Sequence, residues 1–267
     1  FPVRRINNRL VFPRCGDGWY WNVEIEAAMR LDSVKIEFID AIKFHIVTDI
    51  KPFHYLIDLY ERRSELKKLN RPEQYVLKLI LNSSYGKLAQ RQLVGQNERW
   101  YNNVLYAGQI TAHTRAMLLT ALRQNPTGIY LLATDGLLSN KPLNLPLSDQ
   151  LGDWSSDEFS QVFIAQSGIY WKIRSDGVVV RTRGFARDTR ELTLERVRNA
   201  FETNNGVKTS QKRFIGYRTA LVRGIEKWCT WEEADKVLLF SHEPRRVGGA
   251  RIDNRWYSHM RETADPT

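Results

Sequence analysis

The stretch Lys78-Leu79-Ile80-Leu81-Asn82-Ser83-Ser84-Tyr85-Gly86 decides how this chain is read. Lys78, Asn82 and Tyr85 lie at offsets of four and three residues, so on a helix they share one face. Leu79, Ile80 and Leu81 leave apolar bulk for the packed side. A cation, an amide and an aromatic ring on one stripe, closed by a glycine, suit a triphosphate and a base. The same residues also describe an amphipathic helix with a solvated lysine and a glycine end signal. Their neighbours must choose between the two.

The charge around the stretch is uneven. Between Arg62 and Arg91 stand eight cations (Arg62, Arg63, Lys67, Lys68, Arg71, Lys78, Lys87, Arg91) against two anions, Glu65 and Glu73, a net +6. The whole 267-residue chain carries +10, with a sequence pI near 9.6, so over half of the excess sits in this run. A polyanionic partner is the expectation.

Helical patterns flank the motif on both sides. Lys51-Pro52 opens one through Phe53, Leu56, Ile57 and Tyr60 to Leu69, with proline where helix starts accept it. Asn70-Arg71-Pro72 ends it, and Glu73 to Gln90 forms the second arm of an antiparallel helical hairpin. Earlier, residues 1–22 read as short strands and turns, Glu24–Arg30 as a short helix, and Val34–Val47 as a β-branched strand or bent hairpin. Later come a polar segment with Gly95 and Trp100, a helix from Val104 to Arg123, and a buried strand at Ile129–Ala133. Two more strands are expected at Val162–Ile173 and Gly177–Gly184, then helices and loops, with a basic, irregular end from Arg245.

That buried strand ends in Thr134-Asp135-Gly136, which holds a carboxylate at a turn, well placed for a divalent metal. An ordinary Asp-Gly hairpin turn fits the same residues. Cys15 and Cys229 make neither a disulfide framework nor a zinc site, so a reducing compartment is the default. No run approaches the roughly 20 apolar residues that cross a bilayer, which argues against a membrane role. Phe1 in place of an initiator methionine predicts a piece of something longer.

Taken in order, these segments resemble the polymerase region of the family B DNA polymerases. That family's fingers motif is Lys-x-x-x-Asn-Ser-x-Tyr-Gly, matched by Lys78, Asn82, Ser83, Tyr85 and Gly86. Its opposing fingers helix carries an Arg and a Lys four apart, as Arg63 and Lys67 are. Ile110-Thr111-Ala112 with Arg115 resembles the next helix, and Thr134-Asp135 the catalytic hairpin Tyr-x-Asp-Thr-Asp-Ser. Leu151-Gly152-Asp153-Trp154, Gly168-Ile169-Tyr170 and Arg181-Thr182-Arg183-Gly184 resemble template- and primer-binding segments. There are departures. Ala133 replaces the hairpin's first Asp, Gly136 its Ser, and Gly168 stands where many members place a Lys. The family's first palm motif, Asp-x-x-Ser-Leu-Tyr-Pro, is not in this sequence.

The resemblance implies an α+β fold with an antiparallel palm sheet, a helical-hairpin fingers subdomain and a mainly helical thumb. It divides the chain into a palm piece (1–50), fingers (51–92), palm with the catalytic hairpin (93–165), and thumb with tail (166–267). The implied activity is DNA-directed nucleotidyl transfer from dNTP to a primer 3'-hydroxyl, using two Mg2+ or Mn2+ ions about 3.5–4 Å apart. Asp135 would be the catalytic and metal-binding carboxylate. Arg63, Lys67, Lys78, Asn82 and Tyr85 would bind nucleotide, and Gly86, Thr134, Tyr170, Arg181 and Arg183 would touch DNA. Implied partners are primer–template DNA, dNTP, an upstream polymerase segment with the other metal-binding Asp, and a terminal protein in protein-primed members. The viral, plasmid and mobile-element branch is expected, in a host cytoplasm. Two alternatives stay open: a polymerase-like nucleic-acid-binding subunit without catalysis, and an unrelated nucleotide-binding enzyme.

Overall fold

The computed structural model describes residues 4–6, 9–13, 15–45, 47–90, 101–166, 168–185, 192–203, 205–239, 246–252 and 255–260. Arg91, Gly95, Trp100 and Arg245 lie outside the described residues. In chain order the elements are β1 (Arg4–Ile6), β2 (Arg9–Pro13), α1 (Asn22–Met29), α2 (Tyr55–Lys68), α3 (Gln74–Leu88) and α4 (Val104–Gln124). Then follow β3 (Ile129–Ala133), β4 (Gly136–Ser139), β5 (Gln161–Gln166), β6 (Ile169–Arg174), β7 (Gly177–Thr182) and α5 (Leu194–Glu202). The last are β8 (Val207–Ile215), α6 (Tyr217–Arg223), β9 (Thr230–Leu238), β10 (Arg246–Ile252) and β11 (Arg255–Met260). The fold is α+β, and every sheet pairing is antiparallel.

Two compact units divide the chain, Trp19–Ser156 and Asp157–Thr267 with Phe1–Gly18. In the first, α2 packs on α3, α3 on α4 and α4 on α1. Helix α2 ends in a Schellman motif: Asn70, at φ 50°, donates its N–H to Lys67 O, and Arg71 donates to Leu66 O. Asparagine tolerates that left-handed position, and Pro72 then blocks continuation, so the hairpin turns where the sequence says it should. Helix α4 starts under Asn103, whose side chain accepts from the N–H groups of Leu105 and Tyr106. Trp21 lies flat against Gly108 of α4, where an added Cβ would come within 2.8 Å of its indole. Glu24 of α1 pairs with Arg115 of α4 at 2.6 Å.

The second unit holds a core of Ile169, Trp171, Leu192, Val197, Ala200, Val207 and Leu238, with Phe163 and Phe185 packed on it. The sheet β5-β6-β7 contributes one face to this core and α5 covers it through Val197 and Ala200. Strands β8 and β9 pair over their full length, from Val207↔Leu238 to Ile215↔Thr230. A further sheet runs in the order β1-β2-β11-β10.

Four expectations need correction. Residues 34–45 form no strand: no described strand pairs with them, and Phe38, Ile39 and Ile42 are exposed. β-propensity without a ladder partner leaves backbone groups unpaired, so it does not produce a strand. The run expected as one strand from Val162 to Ile173 is a hairpin, β5 and β6, because Gly168 turns the chain at φ 84°. The region 166–267 is not mainly helical among its described residues, since α5 and α6 are short and β6 to β11 predominate. Glu232-Glu233-Ala234-Asp235-Lys236 are mostly good helix formers, yet the cross-strand register with β8 holds them extended. The basic end beyond Arg245 also carries strands, β10 and β11.

Candidate nucleotide and DNA site

Helices α2 and α3 present the basic run on an open surface, since no residue of α2 is buried. Glu65 neutralises Arg62 at 3.1 Å, and Glu73 neutralises Arg71 at 2.6 Å. Both carboxylates of the run are thereby spent. Arg63, Lys67, Lys68 and Lys78 have no described hydrogen-bond or ion-pair partner. Arg63 and Lys67 sit one turn apart on α2, while Lys78, Asn82 and Tyr85 share a face of α3 as expected. The Nε of Arg63 is buried without an acceptor. A buried donor left unpaired is costly, so Arg63 carries an unmet hydrogen-bonding demand among the described residues.

Tyr85 and Gly86 line a groove of about 300 Å³ with Ala89, Val104, Ala107, Gly108 and Thr111. Its walls are nearly all apolar, which suits the flat face of a ring better than a charge. Gly86 is inside a helix, but a Cβ there would meet nothing within 4 Å. Internal packing therefore does not explain this glycine.

The hairpin β3–β4 puts Thr134 and Asp135 in a two-residue turn closed by Ala133↔Gly136. Buried Asn125, at the end of α4, donates from Nδ2 to Ser139 Oγ and Asn140 Oδ1, fixing the hairpin's base to the helix. Thr134 has φ 49°, a left-handed value that a β-branched residue rarely adopts, at a turn position that normally takes glycine. Strain of this kind costs about 1–3 kcal/mol and collects at functional turns. Asp135 is exposed at the tip, its N–H donating to Ala133 O at 2.6 Å and its carboxylate without a partner among the described residues. Neither α2 nor α3 packs extensively on this hairpin. The structure thus brings Arg63, Lys67, Lys78, Asn82 and Tyr85 onto one helical pair and leaves Asp135 on a separate element.

The remaining expected residues lie in the second unit. Strand β6 alternates: Ile169 and Trp171 enter the core, and Tyr170, Lys172 and Arg174 face the other way. Arg181 of β7 is the direct cross-strand partner of Tyr170, so the two share that face. Lys172 lies 5.7 Å above the Tyr170 ring and 4.4 Å from that of Phe159, and Arg174 pairs with Asp157 at 2.8 Å. Burial holds the Lys172 pKa below the ordinary lysine value; Asp157 opposes the shift, and Arg181 and Arg174 add to it. The sequence reading missed Lys172 and Arg174, although the period-two run Tyr170-x-Lys172-x-Arg174 was the signal. Arg183 lies just past β7, donates its N–H to Gly168 O, and lays its stem where a side chain at position 168 would go. That occupancy, with the φ of 84°, explains why Gly168 is not a lysine here.

Residues 1–98 match the sequence family described as DNA polymerase type B, organellar and viral. Those residues are family B polymerase sequence. The matched span contains the whole α2–α3 hairpin, whereas Asp135, Tyr170, Arg181 and Arg183 lie beyond it. A DNA polymerase of Acidianus bottle-shaped virus (isolate Italy/Pozzuoli) is 35% identical over 187 residues, which cover 69% of this chain and 27% of that protein. The chain therefore spans about a quarter of the relative's length. No solved structure matches it. Among its described residues no helix is long and apolar enough to cross a membrane.

Proposed function

We propose that the chain is the part of a DNA-directed DNA polymerase that binds the incoming nucleotide, supplies one metal-binding carboxylate and holds primer–template DNA. The observation that carries this reading is the α2–α3 hairpin. It lies within the family match, and its five motif-matched side chains have no described internal partners. Arg63, Lys67 and Lys78 hold the triphosphate, arriving from two helices, while Asn82 and Tyr85 pack on the sugar or base. Apolar walls beside Tyr85 offer that contact a surface for a ring. Tyr170, Lys172, Arg181 and Arg183 hold DNA phosphates, which positions the duplex without reading it. On this reading residues 51–92 are the fingers, 1–50 and 93–165 belong to the palm, and 166–267 form the thumb and tail.

A divalent ion, when bound, lowers the barrier by stabilising charge on the transferring phosphoryl group. Asp135 fits one ligand position: a hard cation takes one or two carboxylates with substrate phosphates and water. It does not fit a two-ion site alone, and no group of three metal-ligating side chains occurs among the described residues. An upstream segment of the longer protein supplies the second carboxylate. The lone Asp135 and Ala133 favour one other reading, a polymerase-like DNA-binding subunit without catalysis.

Lys78→Ala in the complete enzyme tests the assignment. The expected outcome is a KM for dNTP raised at least tenfold, with binding to primer–template DNA nearly unchanged. Equal loss of both would mean that Lys78 supports the fold. No extension by the complete protein, with nucleotide and DNA binding intact, would favour the non-catalytic reading.

A further inference from the structure

Between Phe214 and Trp231 the β8–β9 pair opens into α6 and a turn that Cys229, at φ 58°, closes by donating its N–H to Ile215 O. Along β8 and β9 the inward residues Val207, Thr209, Ile215 and Leu238 are buried. Outward residues alternate with them, and at the open end Phe214 faces Trp231 across the strands. Their rings meet edge to face with centroids 5.3 Å apart. Tyr217 and Trp228 form a second such pair at 5.4 Å. All four rings stay exposed, from 46% at Phe214 to 64% at Trp231. Edge-to-face contact holds both rings and covers one face of one ring in each pair, leaving the remaining surface exposed.

The charge around these rings is sorted. Glu232 is taken by Arg213 and Arg223, which hold its carboxyl below the usual carboxylate range, the Arg213 hydrogen bond first. Lys208, Lys212, Arg218 and Lys227 have no ion pair or hydrogen bond from a described side chain. Residues 207–239 carry seven cations against four carboxylates. Held, exposed rings among cations without a described partner match a polyanion that offers π-faces of its own. Duplex DNA hides its base faces in the stack; a single strand displays them.

We propose that β8, α6 and β9 form a stacking platform for single-stranded DNA, with Trp228 and Trp231 as principal rings and Lys212, Arg218 and Lys227 tracking the phosphates. That its occupant is the unpaired template rests on the polymerase reading; the affinity for a single strand does not.

The test is anisotropy of a labelled oligo-dT of about 16 nucleotides, a length within single-strand site sizes, and of a duplex of equal length, each titrated with the full 267-residue chain across a salt series. Trp228→Ala with Trp231→Ala should weaken oligo-dT binding about tenfold or more and leave duplex binding within about twofold. Trp228→Phe with Trp231→Phe should restore most of the loss, since an aromatic face is retained. Affinity should fall with salt, as phosphate contacts require. An unchanged oligo-dT affinity in the alanine variant, with native circular dichroism, overturns the platform. So does equal loss on duplex, or salt-independent association with phosphatidylcholine vesicles or a second copy in place of oligo-dT binding. Tryptophan-dependent oligo-dT binding by a chain whose complete protein extends no primer would sustain the platform while the polymerase reading failed.

Discussion

Three glycines show how one missing Cβ can mean different things. At Gly108 and Gly168 an added Cβ would come within 2.8 Å of the Trp21 ring or the Arg183 stem, so the protein's own packing needs glycine. At Gly86 the space is open. Glycine inside a helix costs about 0.5–1 kcal/mol relative to alanine, so Gly86 weakens α3 without an internal return. On the proposed reading, the return is a ligand that approaches the backbone beside Tyr85. Gly86→Ala should therefore raise the thermal midpoint of the chain slightly and, in the complete enzyme, raise KM for dNTP or Kd for primer–template. A stabilised variant with both constants unchanged would remove the α3–α4 groove from the site.

Elements were legible where one local signal settled them. The α2–α3 turn was readable because Asn70 and Pro72 act within four residues, and the Lys78 face because a helix has a fixed period. Residues 34–45 and 232–236 misled for opposite reasons. The first have strand propensity without a described partner; the second have helix propensity overruled by pairing with β8. The basic face of β6–β7 was half legible, since Tyr170 and Arg181 were named and Lys172 between them was not. Lys172 now makes this sheet testable by pH. Its folded-state pKa is lowered, mainly by burial, so the unfolded chain holds that proton more tightly. Folding stability accordingly rises with pH between the lowered value and the ordinary lysine value. Phosphate placed on this face would favour the charged form, so DNA binding should weaken as pH rises through that same window. Lys172→Arg, which keeps its charge there, should flatten the pH dependence of Kd while preserving neutral-pH affinity. A profile identical to the parent's would show that Lys172 does not touch DNA.

At the scale of the whole chain, the carboxylates decide what the chain can do alone. Asp135 stands at the tip of a strained turn, its carboxylate without a partner among the described residues. Of the acids that follow it in sequence, Asp153 accepts from Ser148 Oγ at 2.5 Å, and Asp157 pairs with Arg174. A two-ion site would need more ligands than one side chain provides. Residues 1–267 by themselves should therefore show negligible primer extension with magnesium or manganese, while still binding DNA through the basic face of β6–β7. A longer protein that carries an Asp-x-x-Ser-Leu-Tyr-Pro segment upstream should extend primers. Asp135→Asn in that protein should abolish extension and leave the Kd for primer–template within about twofold, because the charge lost is not one that holds phosphate. Robust extension by the 267-residue chain would reveal a second ligand within it, and full activity after Asp135→Asn would move catalysis off the β3–β4 turn altogether.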